Sequence, residues 1–259
     1  MQVGLIGCGN MARALARGWG QPLLCADPIH ERAESLAAEV GGEALASNAE
    51  VAARAELLVL CHKPAQLGSV AAEIGAGSTP VASILAATPL TALHHAYPGR
   101  PVYRFIPSLP VEVRQGAVVQ ATAGSGGDAQ TDAAVSALFA QLGTLVVLDD
   151  ALIDVAMGLM SCAPAYVALV AEAQIDAGVR RGIPAAQGAE LVVQTLAGTA
   201  ELLRRRHYDT LAVRREVSSP GGLTARGVDA LERAGLRGAF SDALDAVLAP
   251  TDPLSNRKK

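Results

Sequence analysis

The chain begins with Met1–Ala12, MQVGLIGCGNMA, and this stretch decides the fold. Residues 3–6 form a short apolar run without charge, which is typical of a strand buried in a parallel sheet. Residues 7–12 then read G-x-G-x-x-A, and a helical pattern follows directly. A strand, then glycines, then a helix is the context that the dinucleotide-binding fingerprint requires. The stretch therefore predicts a nucleotide site; a glycine turn without a ligand is the alternative.

Each small residue of this fingerprint has its own physical task. Gly7 allows the tight turn, Gly9 lets the backbone approach a pyrophosphate, and Ala12 keeps the helix close to the strand. The N-terminus of the helix offers free backbone N–H groups to the phosphates. These tasks together favour a bound dinucleotide over a simple turn.

An acidic residue follows the predicted second strand, residues 22–26. Asp27 lies twenty positions after Gly7, where a carboxylate usually accepts hydrogen bonds from the adenosine ribose. An acid there repels a 2′-phosphate, so Asp27 favours NAD over NADP, although Arg32 or His30 could still reach such a phosphate. The alternative is a turn aspartate before proline.

Composition excludes several classes of protein. The chain has 259 residues, is 51% hydrophobic and 3% aromatic, and has a net charge of −4, which argues against a nucleic-acid partner. The four cysteines are widely spaced without a C-x-x-C pair, so we expect no metal site and a reducing compartment. The N-terminus leads directly into a strand, and we expect no signal peptide and no apolar run of membrane-spanning length. A cytoplasmic protein without a membrane partner is predicted.

The pattern of elements divides the chain in two. Strands and helices alternate through residues 1–150, as in a doubly wound α/β domain, with Asn48 predicted to cap a short helix over 48–54. Residues 151–259 carry no convincing strand and contain helices predicted over 163–181, 185–206, 224–234 and 237–248. The first of these is apolar nearly all round, which indicates burial against another subunit and a homodimer.

Seven stretches occur together in the order found in one family. The sequence resembles the pyrroline-5-carboxylate reductase family over nearly its whole length. The resemblance is carried by GCGNMARAL at 7–15, Asn48, His62-Lys63-Pro64, SILAA at 83–87, RFIPSLP at 104–110, DAGVRRGIP at 176–184 with QTLAGTAELL at 194–203, and VSSPGGLT at 217–224.

The resemblance implies a fold, an activity and a cofactor. The fold is an N-terminal Rossmann-type doubly wound sheet followed by an all-α dimerisation domain. The activity is reduction of 1-pyrroline-5-carboxylate to L-proline by hydride transfer from NADPH or NADH, a step of proline and hence amino-acid biosynthesis. The partners implied are a small cyclic imino acid and a second copy of the chain, as a homodimer or a higher assembly of dimers.

The resemblance also implies site residues. The pyrophosphate would be held by Gly7, Gly9, Asn10 and Met11, the adenosine ribose by Asn48, and the nicotinamide end by Lys63 and Pro64. The substrate would be held by Ser219, Gly221, Gly222 and Thr224. The hydroxyl of Thr224 would hydrogen-bond the ring nitrogen, which makes Thr224 the predicted catalytic residue.

The chain departs from the family pattern near the site. Ile106 and Ser108 stand where the family usually has Met and Asn, Ser161 and Ala163 replace two glycines, with Cys162 between them, and Leu223 replaces a Thr. Two other functions therefore stay open. One is a related reductase acting on another cyclic imine or a β-hydroxy acid, although residues 151–166 lack the lysine base that β-hydroxy-acid dehydrogenases need. The other is a non-catalytic dinucleotide-binding paralogue that acts as a scaffold or sensor.

Overall fold

The computed structural model describes residues 1–122 and 126–249 of the chain. The chain divides into two compact units, Met1–Pro164 and Ala165–Lys259. Residues 250–259 of the predicted second domain lie outside the described residues. The first unit is a parallel-type sheet flanked by helices and the second is helical, which confirms the predicted fold class.

The sheet of the first unit has eight strands in the order β3-β2-β1-β4-β5-β6-β7-β8. They are β1 (Val3–Ile6), β2 (Leu24–Ala26), β3 (Glu43–Ala44), β4 (Leu57–Leu60), β5 (Val81–Ser83), β6 (Val102–Pro107), β7 (Gly116–Thr122) and β8 (Gly143–Asp149). All neighbours pair in parallel except β6 and β7. The short 3₁₀ turn Leu109–Val113 joins these two strands, and a parallel crossover needs a longer connection. The expected alternation of strand and helix is therefore wrong at this point.

Helices cover both faces of the sheet. They are α1 (Asn10–Trp19), α2 (His30–Val40), α3 (Asn48–Arg54), α4 (Leu67–Ile74), α5 (Leu90–Ala96), α6 (Ala129–Ala140) and α7 (Ile153–Ala156). Successive strand residues face opposite cores: Leu5 packs in the cluster that contains Trp19, whereas Ile6 packs in the other cluster. Burial on both faces explains why the strands read as continuous apolar runs.

The buried side chain of Arg104 connects the sheet to the segment that follows β8. Arg104 on β6 is 1% exposed and pairs with the carboxylates of Asp150, at 2.9 Å, and Asp154, at 2.6 Å. The second carboxylate oxygen of Asp150 accepts the N–H of Leu90 at 3.1 Å. Arg104 therefore joins β6, the start of α5 and the start of α7, because a buried charge must be paired.

The second unit contains helices and turns within its described residues. The helices are α8 (Ala163–Val179), which begins at the unit boundary, α9 (Ala185–Arg205), α10 (Thr210–Val217), α11 (Leu223–Arg233) and α12 (Leu236–Leu248). Helix α10 is not among the helices predicted above, and its N-terminus is capped by Asp209, which accepts the N–H groups of Leu211 and Ala212. No residue of α8 is buried, so its apolar side chains form an uncovered surface.

One helical stretch among the described residues is long and apolar enough to cross a membrane. Asp150–Val179 spans 30 residues, and its most apolar window has a mean hydropathy of 1.7. The expectation that no apolar run reaches this length is therefore wrong. Length and composition alone are weak evidence for a membrane span, because helices of other kinds pass the same test.

Candidate functional site

The glycine-rich turn between β1 and α1 has a geometry that requires its glycines. Gly7 has φ of +97° and donates its N–H to the Ala26 carbonyl at 2.8 Å. A Cβ on Gly7 would lie 3.1 Å from the Cys61 carbonyl, so the position is both strained and crowded for any other residue. Gly9 is the N-cap of α1 and no side chain caps this helix. The first-turn N–H groups of α1 therefore remain available to an anion.

A cavity of about 580 Å³ lies beside this turn. It is formed where β1, β2, β4 and β5 end, at the point where the strand order reverses between β1 and β4. Ligands of doubly wound sheets bind at this position. All eight residues predicted to bind the cofactor line the cavity: Gly7, Gly9, Asn10, Met11, Asp27, Asn48, Lys63 and Pro64.

Asp27 connects the end of β2 to the glycine-rich turn. One carboxylate oxygen accepts the N–H of Cys8 at 2.8 Å and the other accepts the N–H of Ile29 at 2.9 Å. These bonds hold the carboxylate in one orientation at the cavity wall, and each oxygen keeps a further lone pair. Arg32 lines the same cavity, so both an acidic and a basic group face the ligand space.

Asn48 has a different role from the predicted helix cap. Ser47 is the N-cap of α3, and its hydroxyl accepts the N–H of Glu50 at 3.2 Å. Asn48 is the first helical residue, and its side-chain amide donates to Glu73 at 2.8 Å. Both Ser and Asn are good N-caps. The N-cap is Ser47 because its backbone is extended, whereas Asn48 is already part of the helix. The expectation that Asn48 caps this helix is therefore wrong, although Asn48 does line the cavity.

The segment after β4 contributes three polar groups. Burial raises the pKa of the Cys61 thiol, so Cys61 stays protonated. Burial also lowers the pKa of His62. Its Nδ1 lies 2.9 Å from the Lys63 carbonyl oxygen, and its Nε2 is buried without a partner among the described residues. A neutral ring that donates from Nδ1 fits this geometry. The N–H of Lys63 donates to the Gln66 side chain at 3.1 Å, which fixes the turn.

The cavity includes residues that are not among the eight predicted to bind the cofactor. Ala86 follows the end of β5 and Pro107 is the last residue of β6, so the rule that ligands bind at strand ends predicts both. Met157 and Ser161 come from a π-helical segment, Met157–Ser161, and no sequence signal marks it. The Ser161 hydroxyl donates to the Pro107 carbonyl at 2.9 Å. Ser161, which replaces a family glycine, therefore joins the π-helical segment to the end of β6 at the cavity.

Ser108, which replaces the family's Asn, makes a paired contact of its own. Its hydroxyl donates to the Ala117 carbonyl at 3.1 Å and accepts the Ala117 N–H at 2.9 Å. Ser108 is 3% exposed and does not line the cavity. The Ser108 hydroxyl therefore supports the β6–β7 pairing.

The four predicted substrate residues lie together in one turn of the second unit. The N–H of Gly222 donates to the Ser219 carbonyl at 3.0 Å, and Gly221 has φ of +71°. A Cβ on Gly222 would lie 2.4 Å from the Ser219 hydroxyl. Gly222 is the N-cap of α11 and no side chain caps that helix. Thr224 is the second helical residue, so a role as helix cap is excluded.

A doubly wound sheet with an uncapped helix over a cavity at the switch point defines a Rossmann-type dinucleotide-binding fold. Residues 2–87 match the family model "NADP oxidoreductase coenzyme F420-dependent", and residues 150–252 match "Pyrroline-5-carboxylate reductase dimerisation". The chain belongs to the pyrroline-5-carboxylate reductase family, whose members are NAD(P)H-dependent oxidoreductases.

Whole-chain comparisons support this membership. The pyrroline-5-carboxylate reductase of Synechocystis is 32% identical over 99% of both chains, and that of Thermus thermophilus is 34% identical over 95% of both. The solved reductase of Streptococcus pyogenes has a TM-score of 0.87 at 27% identity, covering 95% of this chain and 96% of its own. The Plasmodium falciparum pyrroline carboxylate reductase, solved with NADP bound, has a TM-score of 0.86 at 25% identity, covering 95% of both.

Proposed function

We propose that this protein reduces 1-pyrroline-5-carboxylate to L-proline, with NADPH or NADH as the hydride donor. The observation that carries this proposal is the single cavity lined by all eight predicted cofactor residues, in a chain similar along its length to reductases of this name. Proline biosynthesis is the pathway that this reaction implies.

The cavity supports a specific orientation of the dinucleotide. The uncapped N-terminus of α1, at Gly9, Asn10 and Met11, receives the pyrophosphate, because free N–H groups favour an anion. Asp27 and Asn48 face the adenosine ribose. Lys63 and Pro64, after β4, lie at the nicotinamide end.

The turn of the second unit supports a role in holding the substrate. The uncapped N-terminus of α11, after Ser219, Gly221 and Gly222, receives the carboxylate of the imino acid. The Thr224 hydroxyl hydrogen-bonds the ring nitrogen. When bound, the reduced nicotinamide supplies the hydride that adds to the imine carbon. The nitrogen takes a proton, and the residues of the chain orient the two reactants.

The second unit supports a homodimer or an assembly of dimers in the cytoplasm. Leu169 of α8 is 64% exposed and Leu191 of α9 is 60% exposed. The region that matches the dimerisation model, residues 150–252, contains both of these helices. A second copy of the chain therefore covers this apolar surface, including the helical stretch of membrane-spanning length. All four cysteines are free thiols, in keeping with a reducing compartment.

A steady-state assay with 1-pyrroline-5-carboxylate and each reduced cofactor tests the proposal. We expect cofactor oxidation that depends on the imine and yields proline. A Cβ on Gly9 would meet nothing within 4 Å, so Gly9→Ala should fold normally and yet bind the cofactor more weakly. Gly68→Ala, also with open space but outside this cavity, is the matched control.

Two results of this assay would contradict the proposal. Oxidation with another cyclic imine alone would indicate a related reductase, and cofactor binding without turnover on any imine would indicate a non-catalytic paralogue.

A further inference from the structure

The N-terminus of α3 receives a carboxylate from the neighbouring helix α4. One oxygen of Glu73 accepts the backbone N–H of Asn48 at 3.1 Å, and the other accepts the side-chain amide of Asn48 at 2.8 Å. We propose that Glu73 is a positioning residue, which fixes the Asn48 amide so that its carbonyl oxygen accepts a hydrogen bond from the adenosine ribose. This inference rests on the proposed contact between Asn48 and the cofactor.

The bond to Glu73 determines which way the amide faces. An ionised carboxylate only accepts hydrogen bonds, so the Asn48 atom that contacts it is the nitrogen. The amide oxygen, Oδ1, has no hydrogen-bond partner among the described residues. It is also absent from the fully buried polar atoms that lack a partner, so it keeps some accessible surface. Asn48 is 8% exposed and lines the cavity. The available atom is therefore an acceptor at the ligand space.

Capping of the helix accounts for only one of the two bonds to Glu73, the one from the backbone N–H of Asn48. Ser47 already accepts the N–H of Glu50 at 3.2 Å, and the Glu50 carboxylate accepts the N–H of Ala46 at 3.0 Å. These two side chains therefore bond N–H groups just before the helix and in its first turn without help from Glu73. The bond from the Asn48 side chain to Glu73 adds nothing to the helical backbone, so its effect is on the orientation of the amide.

The fixed amide has a consequence for cofactor choice. Together with Asp27, an oriented Oδ1 presents acceptors at the ribose end of the cavity, and acceptors suit the 2′-hydroxyl of NADH. If Glu73 is removed, the Asn48 amide can turn and present its NH₂ group, which suits the 2′-phosphate of NADPH. Glu73 thus contributes to discrimination between the two cofactors without touching either.

Titration of the full chain with NADH and with NADPH, without substrate, tests the inference. We expect Glu73→Ala to weaken NADH binding by about five- to tenfold, the size of one oriented hydrogen bond. NADPH binding should change less, so the ratio of the two dissociation constants moves toward NADPH. Glu73→Gln retains one acceptor oxygen and should recover part of the NADH affinity. In steady state, KM for NADH should rise while kcat stays at the wild-type value.

Two further variants separate the possible explanations. Glu50→Ala removes a cap from the same helix without a contact to the Asn48 side chain, so it should lower the melting temperature and leave the ratio of dissociation constants unchanged. If Glu73→Ala behaves like Glu50→Ala, Glu73 is only a helix cap and the inference is wrong. If Asn48→Ala weakens NADH binding and Glu73→Ala does not, the inference about Glu73 is wrong, while the proposed contact between Asn48 and the cofactor is retained. If Asn48→Ala leaves NADH binding unchanged, the proposed cofactor contact fails and the inference fails with it.

Discussion

Asp27 accepts the backbone N–H of Cys8 at 2.8 Å, which fixes the end of β2 against the glycine-rich turn. The two residues are 19 positions apart in the chain, and the bond holds a carboxylate beside the N-terminus of α1. The same side chain therefore has two effects. It supports the glycine-rich turn, and it places a negative charge at the cavity wall, where we propose that the adenosine ribose binds.

Asp27→Asn should move cofactor preference toward NADPH. The amide keeps one acceptor oxygen for the turn, while the negative charge that repels a 2′-phosphate is lost. The ratio of kcat/KM for NADPH to that for NADH should rise by about five- to tenfold, ~1 kcal/mol for one charge at close range. Asp128→Asn, at the N-terminus of α6, is the control. An unchanged ratio would show that Asp27 does not face the 2′ position.

Thr224→Ala should lower turnover and leave the melting temperature unchanged. Its hydroxyl is proposed to bond the ring nitrogen, and the loss of one such bond costs ~1–3 kcal/mol in the transition state, or about 5- to 150-fold in rate. Because Gly222 is the N-cap of α11, removing the hydroxyl costs no helix cap. Thr224→Ser keeps the hydroxyl and should restore most of the rate. Wild-type turnover in Thr224→Ala would refute the catalytic role.

The uncovered apolar side chains of α8 and α9 predict an obligate assembly. At micromolar concentration, sedimentation of the wild type should show no species at the 26.4 kDa chain mass, because two copies bury this surface together. Leu191→Asp places a charge in the contact and should shift the protein toward dissociation or unfolding. Val113→Asp changes a 67% exposed valine of the first unit and serves as the control. A compact, helical wild-type monomer would contradict the prediction.

Burial of His62 predicts a loss of stability in acid. Its pKa in the folded protein is lowered, so below the ordinary value of about 6.5 the unfolded chain binds a proton that the folded chain does not. The resulting contribution to stability is complete above that pH and is lost as the pH falls toward the folded pKa. The melting temperature should fall on acidification through this window, and less steeply in His62→Gln. His94→Gln, at an exposed histidine of α5, should keep the wild-type slope, and an unchanged slope in His62→Gln would disprove the assignment.

Much of the fold could be predicted from local pattern. The strands β1, β2 and β4 and the helices α1 and α2 follow from apolar runs and glycines that act within a few residues, whereas the two-residue strand β3 does not. The antiparallel β6–β7 pair could not be predicted in this way. Its direction depends on the length of the connection and on pairing in space, for example Ile106 with Val119.

The candidate site also combines residues that local patterns predict with contacts that local patterns do not predict. The eight residues that line the cavity could be predicted from the sequence because each belongs to the glycine-rich fingerprint, follows a predicted strand or matches the family pattern. It did not identify Glu73, which is 25 positions from Asn48, or Ser161, which is 54 positions from Pro107. These contacts depend on packing between elements that are distant in the chain, and no local sequence pattern predicts them.

Local forces specify the glycine turn at Gly7, the buried strands β1, β2 and β4, and a helix that begins near Thr224, so the sequence alone is enough to predict them. These follow from backbone sterics and apolar periodicity, which act over a few residues. The folded chain is needed to see that Ser47 caps α3, that Glu73 holds Asn48, and that Ser108 pairs with Ala117. Polar side chains have several possible partners, and the partner is chosen by which groups the folded chain brings within hydrogen-bond distance.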